Sequence, residues 1–352
     1  KHFFLSQYFY EYYDQALSQM PIVTSNVNIN KIEVWVTNKI SETNNVRNIA
    51  SFMDLGENMQ YVYNTGNVSQ GTTNLFSPTN TNNSLEPGNL VSIFPNIRNI
   101  NQVTSSMMGS GFEQAVDFEK IENARKLSAT EFSLDSRLGF ISLNQALNSD
   151  EVLAVAFQYT IDGVPYQVGE FSSDLASPDV LLLKLLKSTT TNVELPLWHL
   201  MMKNVYSLGA YQLNQEDFDL QVYYQDDESG VPLPYIPESG ISSQIIIQLL
   251  NLDNLNNNND PGANGYFDFL PNLTVNTSSG RVYFPATEPF GSYMRAKFYE
   301  LGLSAELANK YVFEALYDST KTAASQIAEL NKYLIKGQYK SSSSSEIPLN
   351  AI

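Results

Sequence analysis

Cysteine is absent from the 352 residues. That excludes disulfides, zinc–thiolate centres, iron–sulfur clusters and thiol nucleophiles together, while leaving the compartment open. Histidine is almost absent, with only His2 and His199. His2 stands at the end of the chain. His199 sits in LPLWHLMMK among apolar neighbours, where an interior, partner-satisfied imidazole is the expected role rather than a catalyst. Basic residues are scarce, 20 against 37 acidic, and the net charge of −17 disfavours nucleic acid and anionic lipid while favouring cations and basic partners. Long hydrophobic runs are missing too. The longest, DVLLLKLLK (179–187), falls short of the ~18–20 residues of a membrane helix. Nor is there the series of ~10-residue alternating strands that a transmembrane barrel needs. No GxSxG elbow, Walker loop, dinucleotide glycine fingerprint or HExxH occurs.

What is present is aromatic and apolar. Hydrophobic residues make up 43% and aromatics 12%, enough for packed cores, with Tyr (21) and Phe (19) suited to half-buried sheet surfaces. The pattern predicts an aromatic helix over 1–20, stopped by Pro21, and strands at KIEVWVTNK (31–39) and RNIASFMDL (47–55). From Gly56 to about Gly111 the composition turns to Asn, Ser, Thr and Gly, predicting irregular surface loops. Exposed aromatics there, Tyr61, Tyr63 and the turn near Phe76, are candidate contact anchors. MMGSGFEQ (107–114) lacks the Lys-Ser/Thr of a phosphate loop and reads as a cap for a helix over 112–127, FEQAVDFEKIENARKL.

The clearest β signal is AVAFQYT and VPYQVGEF flanking Asp162-Gly163, a two-residue hairpin. DVLLLKLLKS (179–188) and ELPLWHLMMKNVYSL (194–208) read as helices. DFDLQVYYQDD (217–227) is a strand, SQIIIQLLNL (243–252) is strand or helix, and NLTVNTSSGRVYFPA (272–286) is a hairpin turning at Ser278-Ser279-Gly280. Residues 304–335 predict one or two helices, with Leu307, Tyr311, Ala315 and Leu316 on one face and Ala323, Ile327, Leu330 and Leu334 on another. The fold class is α+β, with mixed, mainly antiparallel sheets, interspersed helices and long Asn-rich loops. Three regions are expected: 1–130, with a helix, strands and the polar excursion; 131–340, with two hairpins and C-terminal helices; and 341–352. The last, SSSSSEIPLNAI, reads as a linker into a strand beyond it, and the start at Lys1 without Met or signal peptide fits a piece of a longer polypeptide.

Catalytic residues are not evident. Glu113, Asp117, Glu119 and Glu122 crowd the segment predicted as a helix, and Asp226, Asp227 and Glu228 follow VYYQ, but such clusters in so acidic a chain mostly face solvent. A glycosidase-type acid pair is therefore disfavoured. The one candidate metal site is NNNNDPGANGYFDF (256–269). Calcium takes six to eight oxygens, and loops of the form D-x-D-x-D-G-x-x-D present alternate side chains inward around a glycine turn. Asp260, Asn264 and Asp268 hold the first, fifth and ninth positions, Gly265 sits at the turn, Tyr266 offers a backbone carbonyl and Asn258 a further oxygen. Gly262 stands where a side-chain ligand belongs and Pro271 where an EF-hand has its bidentate Glu, so the expectation is a weak structural calcium site or else a plain polar turn.

HFFLSQYFYEYYDQALSQMPIVTSNVNINKIEVWVTN, RNIASFMDLGE, ARKLSATEFSLDSRLGFISLNQALNSDEVLAVAFQYTIDGVPYQVGEF, LDNLNNNNDPGANGYFDF, GRVYFPATEPFG and SSSSSEIPLNAI resemble, in this order and over nearly the whole chain, the SprA family. That family comprises the giant outer-membrane translocons of the type 9 secretion system in gliding and secreting Bacteroidetes. The resemblance implies a non-barrel portion of a giant β-barrel protein that passes folded cargo. It also implies an outer-membrane shuttle barrel and a periplasmic plug protein as partners, with the remainder of the translocon chain around this piece. It implies a structural and gating role without catalytic residues, in the outer membrane, at an extracellular cap or, on the other side, a periplasmic vestibule. The alternative is a secreted calcium-braced adhesin or glycan-binding module, which would share the acidity, the aromatics and the Asn-rich loops.

Overall fold

The computed structural model describes residues 1–55, 90–216, 218–340 and 346–350. Most of the expected loop excursion, with Tyr61, Tyr63 and Phe76, lies outside the described residues. The chain separates into two compact units, one of residues 1–12 and 25–202, the other of residues 13–24 and 203–352. The boundary expected near residue 130 instead falls inside the first unit, because strands on both sides of it share one sheet.

Among its described residues the first unit has nine strands: β1 (His2–Phe4), β2 (Val27–Val36), β3 (Val46–Phe52), β4 (Phe118–Lys126), β5 (Phe132–Asp135), β6 (Phe140–Leu143), β7 (Leu153–Ile161), β8 (Val164–Val168) and β9 (Leu181–Lys187). The main sheet runs β2-β4-β3-β9-β7-β8, and an additional β2–β7 pairing closes five of these strands into a small barrel. β2 lies along β7 from Val27↔Ile161 to Val36↔Leu153, and β3 and β9 are the parallel pair. Closure removes open edges and explains why β7 and β9 are buried almost throughout. A second sheet, β1-β6-β5, completes the unit.

Closure also explains two corrections. DVLLLKLLK is not a helix but β9: a short apolar run reads alike for a strand buried on both faces and for a buried helix. FEQAVDFEKIENARKL is not a helix but holds β4, despite its helix-favouring residues, because pairing with β3 overrides propensity. The chain prepares this locally. Ala115 and Asn123 adopt positive φ, and a bulge between Arg47 and Ile49 is bridged by the Asn123 N–H donating to Asn48 Oδ1 at 3.0 Å. The helix of this region lies earlier, at Ile100–Gly109 inside the expected loop stretch, N-capped by Asn99. MMGSG closes that helix: Gly111 takes φ +87° and the Phe112 N–H reaches Met107 O. ELPLWHLMMKNVYSL likewise contains only a 3₁₀ turn, Pro196–Leu200, and then a strand.

Arg98 and Glu170 lock the β8–β9 corner. Two guanidinium nitrogens of Arg98 contact the Glu170 carboxylate at 2.6 and 2.5 Å, the Leu182 N–H donates to Glu170 Oε2 at 2.9 Å, and Arg98 Nη1 donates to Val180 O at 2.8 Å. Glu170 is 4% exposed, so its charge depends on these donors.

The second unit carries β10 (Val205–Ser207), β11 (Asp219–Gln225), β12 (Pro232–Leu233), β13 (Val275–Asn276), β14 (Arg281–Tyr283), β15 (Tyr333–Lys340) and β16 (Glu346–Asn350). They form a sheet β10-β14-β13 and a sheet β12-β11-β15-β16. Residues 346–350, expected in a linker, pair with β15. The long helical expectation over 304–335 resolves into Ala305–Tyr311, Ala315–Asp318 and Lys321–Ser325, N-capped by Ser304 and Thr320 where a cap is made, and then into β15. Leu334 thus lies on a strand. Ala324 rather than Ala323 is buried, and Leu307 is partly exposed while Tyr311 is buried. SQIIIQLLNL supplies one helical turn, Ile246–Leu249. The core joins these residues with Leu220, Val222, Phe284, Phe290 and Phe298.

Asp14, in the 13–24 segment of this unit, accepts the Thr287 N–H at 2.7 Å. Burial first, then the nearby Glu288, push its carboxyl up to about 6, against the hydrogen bond from Thr287. The folded state therefore holds the proton more tightly than the unfolded chain, so stability is gained as pH falls and lost as pH rises from about 4 through 6. Asp14→Asn keeps the acceptor and removes the charge. It is expected to stabilise the protein at pH 7.5 by on the order of 2 kcal/mol and to give no gain at pH 4, read by urea unfolding at both values. A gain independent of pH would refute this assignment.

Candidate functional site

The Asn-rich loop is organised by two carboxylates, one outside the predicted ligand set. Asp253, 1% exposed, accepts the Asn264 N–H on Oδ1 and the Gly265 N–H on Oδ2, each at 2.9 Å, with Gln248 Nε2 also donating to Oδ2 at 2.9 Å. Asp268, also buried, accepts the Asn254 N–H on Oδ2 at 2.7 Å and the Leu255 N–H on Oδ1 at 3.3 Å. The two acids thus tie the ends of the loop together: Asp253, just before the loop, holds Asn264 and Gly265 in its second half, and Asp268, near its end, holds Asn254 and Leu255 just before its start. Burial, followed more weakly by the charge of Asp253, raises the Asp268 carboxyl from its ordinary value.

Between them the chain turns on its own polar groups. Asn256 Oδ1 accepts the N–H groups of Asn258 and Asp260 at 2.8 and 3.1 Å, and Asn264 Oδ1 accepts the Tyr266 N–H at 2.9 Å while its Nδ2 donates to Asn257. Asn259 (φ +61°), Gly262 and Gly265 supply positive φ. The structure divides the five predicted ligands. Asn258, Asp260, Asn264 and Tyr266 are exposed, whereas Asp268 is withdrawn into the interior and spends its oxygens on backbone donors. Among the described residues no group of three or more His, Asp or Glu side chains could hold a metal ion.

Asp253 was missed because it stands seven residues before Asp260, outside any calcium-loop register. The usable signal was a second Asp flanking a Gly/Asn-rich turn, which is the pattern of side-chain caps on loop N–H groups. Asp253→Ala and Asp268→Ala are each expected to destabilise by roughly 2–4 kcal/mol, since each leaves two or more buried donors without an acceptor. Urea unfolding in millimolar calcium and in excess chelator should give the same loss. A wild-type melting temperature that rises with calcium, and no longer does so in Asp260→Ala, would instead establish a bound ion.

The other predicted clusters serve structure. Glu119 Oε1 accepts Ser188 Oγ, the Thr189 N–H and Thr189 Oγ1 at 2.8, 2.9 and 2.6 Å. Asp117 Oδ2 accepts the Glu113 N–H, and Glu122 pairs with Lys120 at the surface. Strand geometry, in place of the expected helix, disperses these acids. Asp226 caps the Ser229 N–H and Asp227 pairs with Lys332. His2 is buried against Ser142 Oγ at 2.7 Å, and His199 packs 5.0 Å from the Tyr10 ring.

No helix among the described residues is long and apolar enough to cross a membrane. Compared with known proteins, the chain matches no family model and no curated relative.

Proposed function

We propose that the chain is a structural, gating part of a type 9 secretion translocon of the SprA kind, placed at the outer membrane and most simply in its extracellular cap. The observation that carries this reading is the series of long phrases that resemble that family in order, from HFFLSQYFYEYYDQALSQM to SSSSSEIPLNAI. The geometry is consistent with a role exerted through shape. The buried carboxylates whose contacts are described, Asp117, Glu119 and Glu170 in the first unit and Asp226, Asp253 and Asp268 in the second, hold backbone or neighbouring side chains in place. In this reading the unit works by rigid packing that narrows or shields a pore, while its surface meets cargo, the shuttle barrel and the plug protein. The net charge of −17 favours basic partner surfaces.

The test is native purification of the full-length chain from a secreting bacterium, with an affinity tag inserted at the exposed Asn257–Asn259 turn. Recovery from the outer-membrane fraction together with the shuttle barrel and plug protein is expected. Labelling of the tag on intact cells places the segment outside; labelling only after permeabilisation places it in the periplasm. Recovery of a free, soluble product without those partners would favour the secreted-adhesin alternative.

A further inference from the structure

The sequence holds a single Asn-Gly pair, Asn264-Gly265, in the Asn-rich loop. Asn-Gly is the pair most open to spontaneous succinimide chemistry, because glycine puts no side chain in the way of the attacking nitrogen. The Gly265 main-chain nitrogen attacks Asn264 Cγ. An N–Cγ bond forms, the Cγ–Nδ2 bond breaks, and Nδ2 leaves as ammonia with the proton that Gly265 gives up. Water then opens the ring at either carbonyl, giving aspartate or isoaspartate, the latter with one more methylene group in the main chain. Asn264 is exposed, so water and base reach it.

The geometry opposes the reaction at the atoms that would carry it. The Gly265 N–H donates to Asp253 Oδ2 at 2.9 Å, on a carboxylate that is 1% exposed. The nitrogen has to lose its proton in order to attack, and a carboxylate that accepts that N–H disfavours the anion left behind. The amide is tethered as well: Asn264 Nδ2 donates to Asn257 Oδ1 at 2.8 Å, and Asn264 Oδ1 accepts the Tyr266 N–H at 2.9 Å. Ring closure must break the bond to Asp253, since the proton departs, and the bond to Asn257, since Nδ2 departs.

The product also undoes the loop. Asp253 holds the adjacent N–H groups of Asn264 and Gly265 on its two oxygens. An extra methylene group between them spoils that spacing and leaves a buried carboxylate short of donors, with a new carboxylate beside it. We propose that Asn264 is a modification site that Asp253 keeps closed. Deamidation to isoaspartate proceeds there only when the bond from Gly265 to Asp253 opens, and once made it prevents the loop from returning to this arrangement. The inference does not depend on the translocon reading.

The test compares the whole chain with a synthetic peptide of residues 256–269 at neutral pH. Deamidation at Asn264 is read by peptide mass spectrometry and isoaspartate by enzymatic methylation. The folded chain is expected to react at least roughly tenfold more slowly than the peptide, since the N–H is available only in the opened loop. Asp253→Ala should bring the rate close to that of the peptide. Asp253→Asn, which keeps one acceptor and perturbs folding less, should fall between. Gly280→Ala weakens the same unit at a turn outside the loop, so it should stay near wild type. A wild-type rate equal to that of the peptide would show that the loop gives no protection. Asp253→Asn as slow as wild type would remove the carboxylate from the account, and Gly280→Ala as fast as Asp253→Ala would assign the protection to overall stability. Each of these results would overturn the proposal.

Discussion

Glu170→Ala is expected to cost the first unit about 3–5 kcal/mol, the largest loss from any single change considered for this molecule. The carboxylate receives Arg98 through two contacts and the Leu182 N–H through a third, all in a place where water does not compete. Removing it leaves a guanidinium that is only 22% exposed without its counter-charge and the Leu182 N–H without its side-chain acceptor. Glu170→Gln keeps an acceptor but no charge and should fall between the two. The readout is favourable, because both tryptophans belong to this unit: Trp35 on β2 is 1% exposed and Trp198 is 9% exposed. Tryptophan fluorescence in urea should therefore follow this unit, with a lowered midpoint and an unchanged slope. A shift below about 1 kcal/mol would mean that the ion pair merely offsets its own desolvation and that apolar packing alone holds the β8–β9 corner.

Gly280→Ala is expected to cost the second unit about 2–4 kcal/mol. Gly280 has φ +60°, and a Cβ placed there would stand 1.6 Å from the carbonyl oxygen of Ala210. The obstacle is backbone, held by the neighbouring Leu208 N–H to Gly280 O and Leu213 N–H to Thr277 O bonds, so no side chain can swing aside. Gly163→Ala is the matched control. Its φ is +81° but nothing lies within 4 Å of the added carbon, so only the left-handed backbone strain, about 1 kcal/mol, should appear. Because Gly280 lies in the second unit, which holds no tryptophan, its loss is read from the far-UV circular dichroism transition. Equal losses at Gly280 and Gly163 would show that the turn relaxes around the new methyl group.

These two glycines also show what in the fold could be read beforehand. Asp162-Gly163 and Ser278-Ser279-Gly280 announced their hairpins because a positive φ has to be supplied by particular residues, and the pairs Ile161↔Val164 and Asn276↔Arg281 close where those residues fall. The alternation of KIEVWV and DLQVYYQ was legible for the same local reason. What stayed hidden was non-local. Whether DVLLLKLLK is a strand depends on β3 and β7 lying on either side of it, and whether FEKIENARK is one depends on β3; neither neighbour leaves a mark in the segment itself. The helix Ile100–Gly109, with Asn, Gln, Thr and Ser in it, was masked by polar composition, although Asn99 is an ordinary N-cap.

The loop at 256–269 was half legible for a related reason. Its Asn, Asp and Gly residues announced a turn rich in oxygen acceptors, and the turn is there. Which acceptors face outward was set by Asp253, through contacts to Asn264 and Gly265 that no register within the loop encodes. Asp268, placed ninth in a calcium-like register, is claimed by Asn254 and Leu255 instead.

The central claim, that this chain acts as a structural part of a protein-secretion translocon, is tested most directly by cargo export. Secreted cargo in the culture medium would be measured in bacteria whose full-length translocon chain carries Glu170→Ala together with Gly280→Ala, with its abundance in the outer membrane measured in parallel. The account predicts that export falls in proportion to the loss of correctly folded chain and returns when Glu170 and Gly280 are restored. Export at the wild-type level from cells in which this region is demonstrably unfolded would contradict it.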